Sequence, residues 1–412
     1  MQFDLVFQGG GAKGMVFVGA MRAYEALNCT YDRLMGTSAG AITATLLAAG
    51  YSSQEMLAAL NERENGVPVF ALFMGPPPPF TPEEVEAGAL RKFLADINVP
   101  LIPDFVEKRI DSQIAQALAD NKRSRHLVSL VERGGWFSAH KFVEWLQRKL
   151  DEGSHNGQPR RYSKLTLADF FAATGRELTL IATNTTLGRM LVLNHQTAPK
   201  CPLVWAVRMS MNIPFLWQEV IWQQEWGSYR GRSLTGHAIV DGGVLSNFPI
   251  ELYLSDEPQV TAVMGDRKSQ RVLGMLIDNS LPVPPVADPA DELSFGLEPA
   301  GAEASAQSFS WQNLATVQRV LRLVNTMTSG HDRDVIEAFN HLVARMPAQD
   351  YGTTEFDMDD ARKGALVAAG RHAMENYLPR RLADEEQISF APGEEDPVVE
   401  EANARAVQTL EW

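Results

Sequence analysis

Ser38 lies in Gly36-Thr37-Ser38-Ala39-Gly40, a G-x-S-x-G pentapeptide set between the short apolar run Leu34-Met35 and the helix-prone AGAITATLLAAG. A serine hydroxyl is a weak nucleophile until a base is held beside it. Strand, G-x-S-x-G and helix in that order form a nucleophile elbow, a tight turn that lifts the hydroxyl above the sheet edge. A second glycine cluster, Gly9-Gly10-Gly11-Ala12-Lys13-Gly14, follows the apolar run FDLVF near the N-terminus. Three chemistries compete for it. A phosphate-binding P-loop requires Lys and Ser/Thr directly after the last glycine, but Met15 and Val16 stand there and Lys13 comes before it. A dinucleotide turn, G-x-G-x-x-G, needs an acid about 20 residues on at the end of the second strand. Asp32 is near that distance but precedes the expected strand, so nucleotide binding is retained only as an alternative. The third chemistry is an oxyanion hole of backbone N–H groups serving Ser38.

A base for Ser38 is the remaining requirement. Among eight histidines none stands in a triad context, and strand spacing puts His237 about 13 Å from Asp241. Asp241, in VDGGVLSNFP, is the acid with site character: it ends an apolar strand, and Gly242 and Gly243 leave room beside it.

GGGAKG, GTSAG and DGG, in this order, resemble the patatin-like phospholipase family, and the likeness extends to NTTLGR, RMSMNIPFLW and residues 354–378. The resemblance implies a three-layer α/β/α sandwich with a mainly parallel central sheet. It also implies a lipid acyl hydrolase using a Ser-Asp dyad without histidine, metal or cofactor. Carried over, Ser38 is the nucleophile, Asp241 its base, and Gly36 and Gly40 the elbow. Gly242 and Gly243 form the base loop. Gly9, Gly10, Gly11, Lys13 and Gly14 shape the oxyanion hole, where a helix start favours negative charge. Lys13 adds positive potential there, unless it is simply an exposed helix-start lysine. A catalytically idle member serving as an interaction module is the other alternative.

These groups need elements to position them. The first fifty residues read strand, glycine turn, helix, strand, turn, helix, the rhythm of a parallel α/β sheet. Residues 51–165 read as a helical insertion broken by GPPPPF; in AHKFVEWLQRKL, Phe142, Val143, Leu146 and Leu150 share a core-facing side. Two strands are expected in 177–194, one at HAIVDGG and one at RVLGMLID. The Pro-rich stretch 279–310 is expected to be a lid or loop, followed by helices over Trp311–Arg345 and 359–377. One lipid-hydrolase domain thus runs over 1–380, and 381–412 is an acidic tail expected to be disordered.

Composition narrows the partners. Of a net charge of −14, the stretch from Asp384 onward carries −8, which leaves the main body only mildly acidic. Nucleic acid is excluded by the lack of a basic face. The expected partner is a phospholipid or other acyl lipid met by transient membrane-surface contact, through apolar groups rather than bulk charge. Two cysteines and no basic leader predict a cytoplasmic protein, with membrane association or non-classical secretion left open. Residues 34–53 are uncharged over about the length of a membrane span, yet their Gly, Ser, Thr and Ala content reads as a buried helix. Trp217, Trp222 and Trp226 suit either a membrane interface or hairpin packing, the latter being preferred.

Overall fold

The computed structural model describes residues 1–96, 113–122, 124–266, 271–285, 334–387 and 397–411. Its centre is a sheet of eight strands: β1 (Gln2–Phe7), β2 (Thr30–Thr37), β3 (Glu177–Asn184), β4 (Arg189–Leu193), β5 (Val220–Ile221), β6 (Ala238–Asp241), β7 (Val272–Asp278) and β8 (Val343–Pro347). The order is β5-β6-β3-β2-β1-β7-β8, with β4 on the remaining edge of β3. From β3 through β2, β1 and β7 to β8 all pairings are parallel; β4, β5 and β6 add antiparallel ones. Strands β1 and β7 are almost wholly buried and, apart from Gln2, Asp4 and Asp278, apolar, as a doubly covered parallel sheet requires.

Helices cover both faces. On one side lie α1 (Val16–Ala26), α2 (Ala39–Ala48), α3 (Ser53–Leu60), α4 (His140–Asp151), α5 (Leu203–Ser210) and, after β8, α7 (Asp360–Gln387), packed on a core that includes Phe7, Phe17, Leu47, Trp145 and Leu366. The other side carries α6 (Glu251–Leu254) and α8 (Pro397–Glu411) over Val6, Met35, Ile181, Phe248 and Val272. The result is an α/β/α three-layer sandwich, as expected. Helix α2 is ten residues long and buried, and none of the described helices is long and apolar enough to cross a membrane.

Two expectations need correction. The end of the expected 311–345 helical stretch is instead strand β8, parallel to β7; residues 311–333 lie outside the described residues. The tail is not wholly disordered, because α8 docks with Ala402 and Ala406 fully buried and Asn403 bonded to Ser255 and Asp256. Val398, Ala402, Ala406 and Leu410 recur every fourth residue, an apolar stripe too narrow to stand out among the acids around it. Most of the expected 279–310 lid lies outside the described residues. The 51–165 insertion holds helices but also short hairpins at Arg63–Pro68 and Ser154–Pro159, and a strand, Gly135–Phe137, that pairs with Phe215–Trp217.

At the end of the sheet away from the glycine turn, Arg33 and Asp4 form a fully buried ion pair at 2.8 Å, with the guanidinium 4.3 Å from the Tyr253 ring centre. Burial raises the Asp4 pKa, and Arg33 opposes that rise. Arg33→Met should therefore strand a buried carboxylate and cost about 3–5 kcal/mol, read as a lower urea midpoint. The double variant with Asp4→Leu should recover most of that loss; if it does not, the pair is not the source.

Candidate active site

Strands β2 and β6 approach each other end to end along one edge of β3. Thr37 is opposite Ile181 in the parallel pairing, and Asp241 is opposite Ala182 in the antiparallel one. Strand β4 occupies the other edge of β3 over Leu180–Asn184, so β2 and β6 share the same edge from opposite directions. Residues Ser38 and Asp241 therefore meet at the junction.

Ser38 caps α2 with φ 55° and ψ −119°, a conformation that costs a side-chain-bearing residue about 1–3 kcal/mol. The turn is tolerated because its neighbours are glycines. A Cβ on Gly36 would stand 2.2 Å from the Gly40 carbonyl oxygen, and one on Gly40 would stand 2.2 Å from that of Phe7. The Ser38 N–H donates to Ser210 Oγ (3.1 Å), whose hydroxyl donates to the Ile181 carbonyl (2.6 Å), tying the elbow to α5 and β3.

Asp241 is buried, and burial pushes its carboxyl up to about 7; hydrogen bonds from the Ser38 side chain and the Gly243 N–H (2.8 Å) act against that rise. The Asp241 N–H donates to the Asn212 carbonyl, and Asn212 Nδ2 to that of Ile239, so the MNIPF segment braces β6. Gly242 passes β3 so closely that a Cβ would lie 2.4 Å from the Ile181 carbonyl oxygen.

The glycine turn sits beside this junction. Gly9 and Asn247 are cross-linked through Gly9 N–H to the Asn247 carbonyl (3.3 Å) and Asn247 Nδ2 to the Gly9 carbonyl (3.0 Å). A Cβ on Gly9 would meet Ser38 Cβ at 2.9 Å, and one on Gly14 would meet Ala39 Cβ at 2.5 Å. The N–H groups of Ala12 and Lys13 go to the Thr353 and Gly10 carbonyls, whereas those of Gly10 and Gly11 have no acceptor among the described residues. Lys13 is buried, not exposed: its Nζ donates to Asn279 Oδ1 (2.8 Å), and burial lowers its pKa to about 8.

Two cavities meet at Ser38. A cleft of about 950 Å³ holds Gly9, Gly10, Gly11, Lys13 and Asp241 and lies between the ends of β1 and β7. Strand order reverses there, which is where open α/β sheets bind ligands. A smaller apolar cavity of about 60 Å³ runs past Ser38 along Met15, Ile42, Leu46, Met56 and Phe70. No histidine lines either cavity among the described residues. Trp217, Trp222 and Trp226 are buried, with Trp226 stacked on Trp205, so they pack rather than face outward. Sequence reasoning did not single out Ser210, Asn279 or Arg345; their signal is tertiary.

This chain matches the patatin-like phospholipase family over residues 5–254 and belongs to that family, a class of lipid hydrolases. It is 24% identical over 387 residues to the uncharacterized protein YqhO of Bacillus subtilis (strain 168), covering 92% of this chain and 98% of that one. Among solved structures, VipD of Legionella pneumophila is similar at 17% identity and TM-score 0.43, over 92% of this chain and 67% of VipD. The type III effector ExoU is similar at 16% identity and TM-score 0.36, over 92% of this chain and 53% of ExoU.

Proposed function

We propose that the protein is a serine lipid acyl hydrolase of phospholipase A type, working through Ser38 and Asp241. The observation that carries this reading is the end-to-end meeting of β2 and β6, which joins a strained serine to a buried carboxylate at the head of an apolar cavity.

In this reading the Asp241 carboxylate takes the Ser38 hydroxyl proton as Oγ attacks the ester carbonyl. The tetrahedral oxyanion accepts hydrogen bonds from the Gly10 and Gly11 N–H groups, each such donor contributing about 3 kcal/mol to the transition state. Protonated Asp241 returns its proton to the leaving alcohol. Water then attacks the acyl-enzyme, giving a proton to Asp241; as the fatty acid leaves, Asp241 passes that proton to Ser38 Oγ, restoring the hydroxyl and the carboxylate. The acyl chain enters the apolar cavity, while the polar remainder of the lipid occupies the larger cleft. Gly36 and Gly40 keep the elbow tight, Gly242 and Gly243 set the base loop, and Gly9 and Gly14 admit close packing around Ser38. Nothing in these steps requires a metal or cofactor, so calcium-independent activity is expected.

The test is release of fatty acid from a mixed lipid extract, with and without EDTA, alongside labelling by a fluorophosphonate. Labelling mapped to Ser38 together with chelator-resistant release supports the reading. Labelling elsewhere, or release that requires calcium, overturns it.

A further inference from the structure

Lys13, Arg345 and Glu337, which line the large cleft, differ in exposure. The more buried of the two cations is Lys13, 7% exposed, with one of its three ammonium donors on Asn279. Next is Arg345, its side chain 47% exposed, whose Nε is held by Asp278 Oδ2 at 2.7 Å. The other oxygen of Asp278 is taken by the N–H and hydroxyl of Ser280 (2.8 and 2.6 Å). Consecutive residues at the C-terminal end of β7, Asp278 and Asn279, thus hold two cations that line one cavity, and each cation keeps further N–H donors for an anion. The cleft also holds Glu337, exposed and without an ion pair among the described residues. Asp241, the remaining acid in the cleft, is the base of the proposed dyad.

A buried cation beside the glycine turn, a half-exposed second cation and an exposed carboxylate match a ligand that is negative near the reacting ester and positive farther out. We propose that this cleft selects zwitterionic glycerophospholipids, with the phosphate on Lys13 and Arg345 and the terminal amine facing Glu337. The proposal rests on the ester-hydrolase reading, because it places the phosphate beside the glycerol ester that Ser38 attacks. An anionic glycerol head group would gain the same phosphate contacts but find no partner for Glu337. A neutral acylglycerol would leave both cations unused. Ser280 and Asn279 act here as positioning residues, holding the cations through Asp278 and directly.

Kinetics on phosphatidylethanolamine and phosphatidylglycerol with identical acyl chains, in neutral mixed micelles, test this, with p-nitrophenyl butyrate as a soluble ester. Wild type should show higher kcat/KM on phosphatidylethanolamine. Glu337→Gln should shrink that preference about fivefold, the scale of one partly solvated charge pair. Glu400→Gln, an exposed acid on α8, removes the same bulk charge and should leave the preference as it is. Arg345→Gln should lower kcat/KM on both phospholipids about tenfold relative to the soluble ester, the effect falling mainly on KM. A preference that is the same in wild type and Glu337→Gln overturns the head-group assignment while leaving the hydrolase reading in place. A preference that moves equally in Glu400→Gln overturns it too, as a bulk-charge effect. Absence of turnover on all three substrates in wild type overturns the hydrolase reading beneath it.

Discussion

Ser38→Ala is expected to cut ester turnover by at least about 10⁴-fold, the scale seen when a covalent nucleophile is removed from a working constellation. The fold should persist, because the Ser38 contact with Ser210 runs through its backbone N–H, which alanine retains. Ser38→Gly separates strain from chemistry. At φ 55° and ψ −119° a glycine lacks the steric cost that serine bears. That variant should be equally inactive yet more stable by about 1 kcal/mol, a rise in Tm of about 2 °C. Retained activity in either variant would remove Ser38 from the mechanism. A lower Tm in Ser38→Gly would show that the elbow is not strained.

Asp241→Asn should reduce turnover by about 10³-fold, the loss of a positioned general base. In the wild type, turnover should climb as pH rises through about 7, because burial holds the carboxyl protonated below that point. Stability moves the other way. A folded-state pKa raised from 3.8 to about 7 means that the proton stabilises the fold. That stabilisation is complete below pH about 4 and is lost as pH rises through about 7. The asparagine variant does not lose it. Asp241→Asn should therefore be more stable than wild type at pH 8, by on the order of a few kcal/mol, and match it near pH 4. Tm measured at both values decides this. Equal Tm differences at the two values would mean that the carboxyl is not held protonated by burial.

The parts of this site legible in the sequence are those whose geometry is local. Gly36 is required by the Gly40 carbonyl, a constraint written within five residues, whereas Gly40 is required by the Phe7 carbonyl on β1 and is legible only through the G-x-S-x-G spacing. The strand–turn–helix rhythm of the first fifty residues is local in the same way. The adjacency of Ser38 and Asp241 is different: it depends on how two strands register on β3, and only family resemblance pointed to it. Lys13 shows the limit most clearly. Its burial is decided by Asn279, 266 residues away, so its own neighbours gave no reason to prefer a buried cation over an exposed one. The tail misled for another reason. Composition weighs its acids, whereas docking depends on four small or apolar residues on one face of α8.

The shared edge of β3 also makes the protein modular. The spacing of the dyad is set by neighbouring rungs, Ile181 and Ala182, on a strand that neither partner belongs to. The hairpin Ser228–Ser233, in the connection between β4 and β6, lies outside those rungs. That hairpin carries neither Ser210 nor Asn212, the residues of this stretch that tie the elbow to β3 and brace β6, so a change in its length leaves the dyad distance as it is. A single residue added inside β6 has the opposite effect, since it turns Asp241 to the other face of the sheet. Length can vary in that hairpin, while the register of β2 and β6 on β3 holds the chemistry constant.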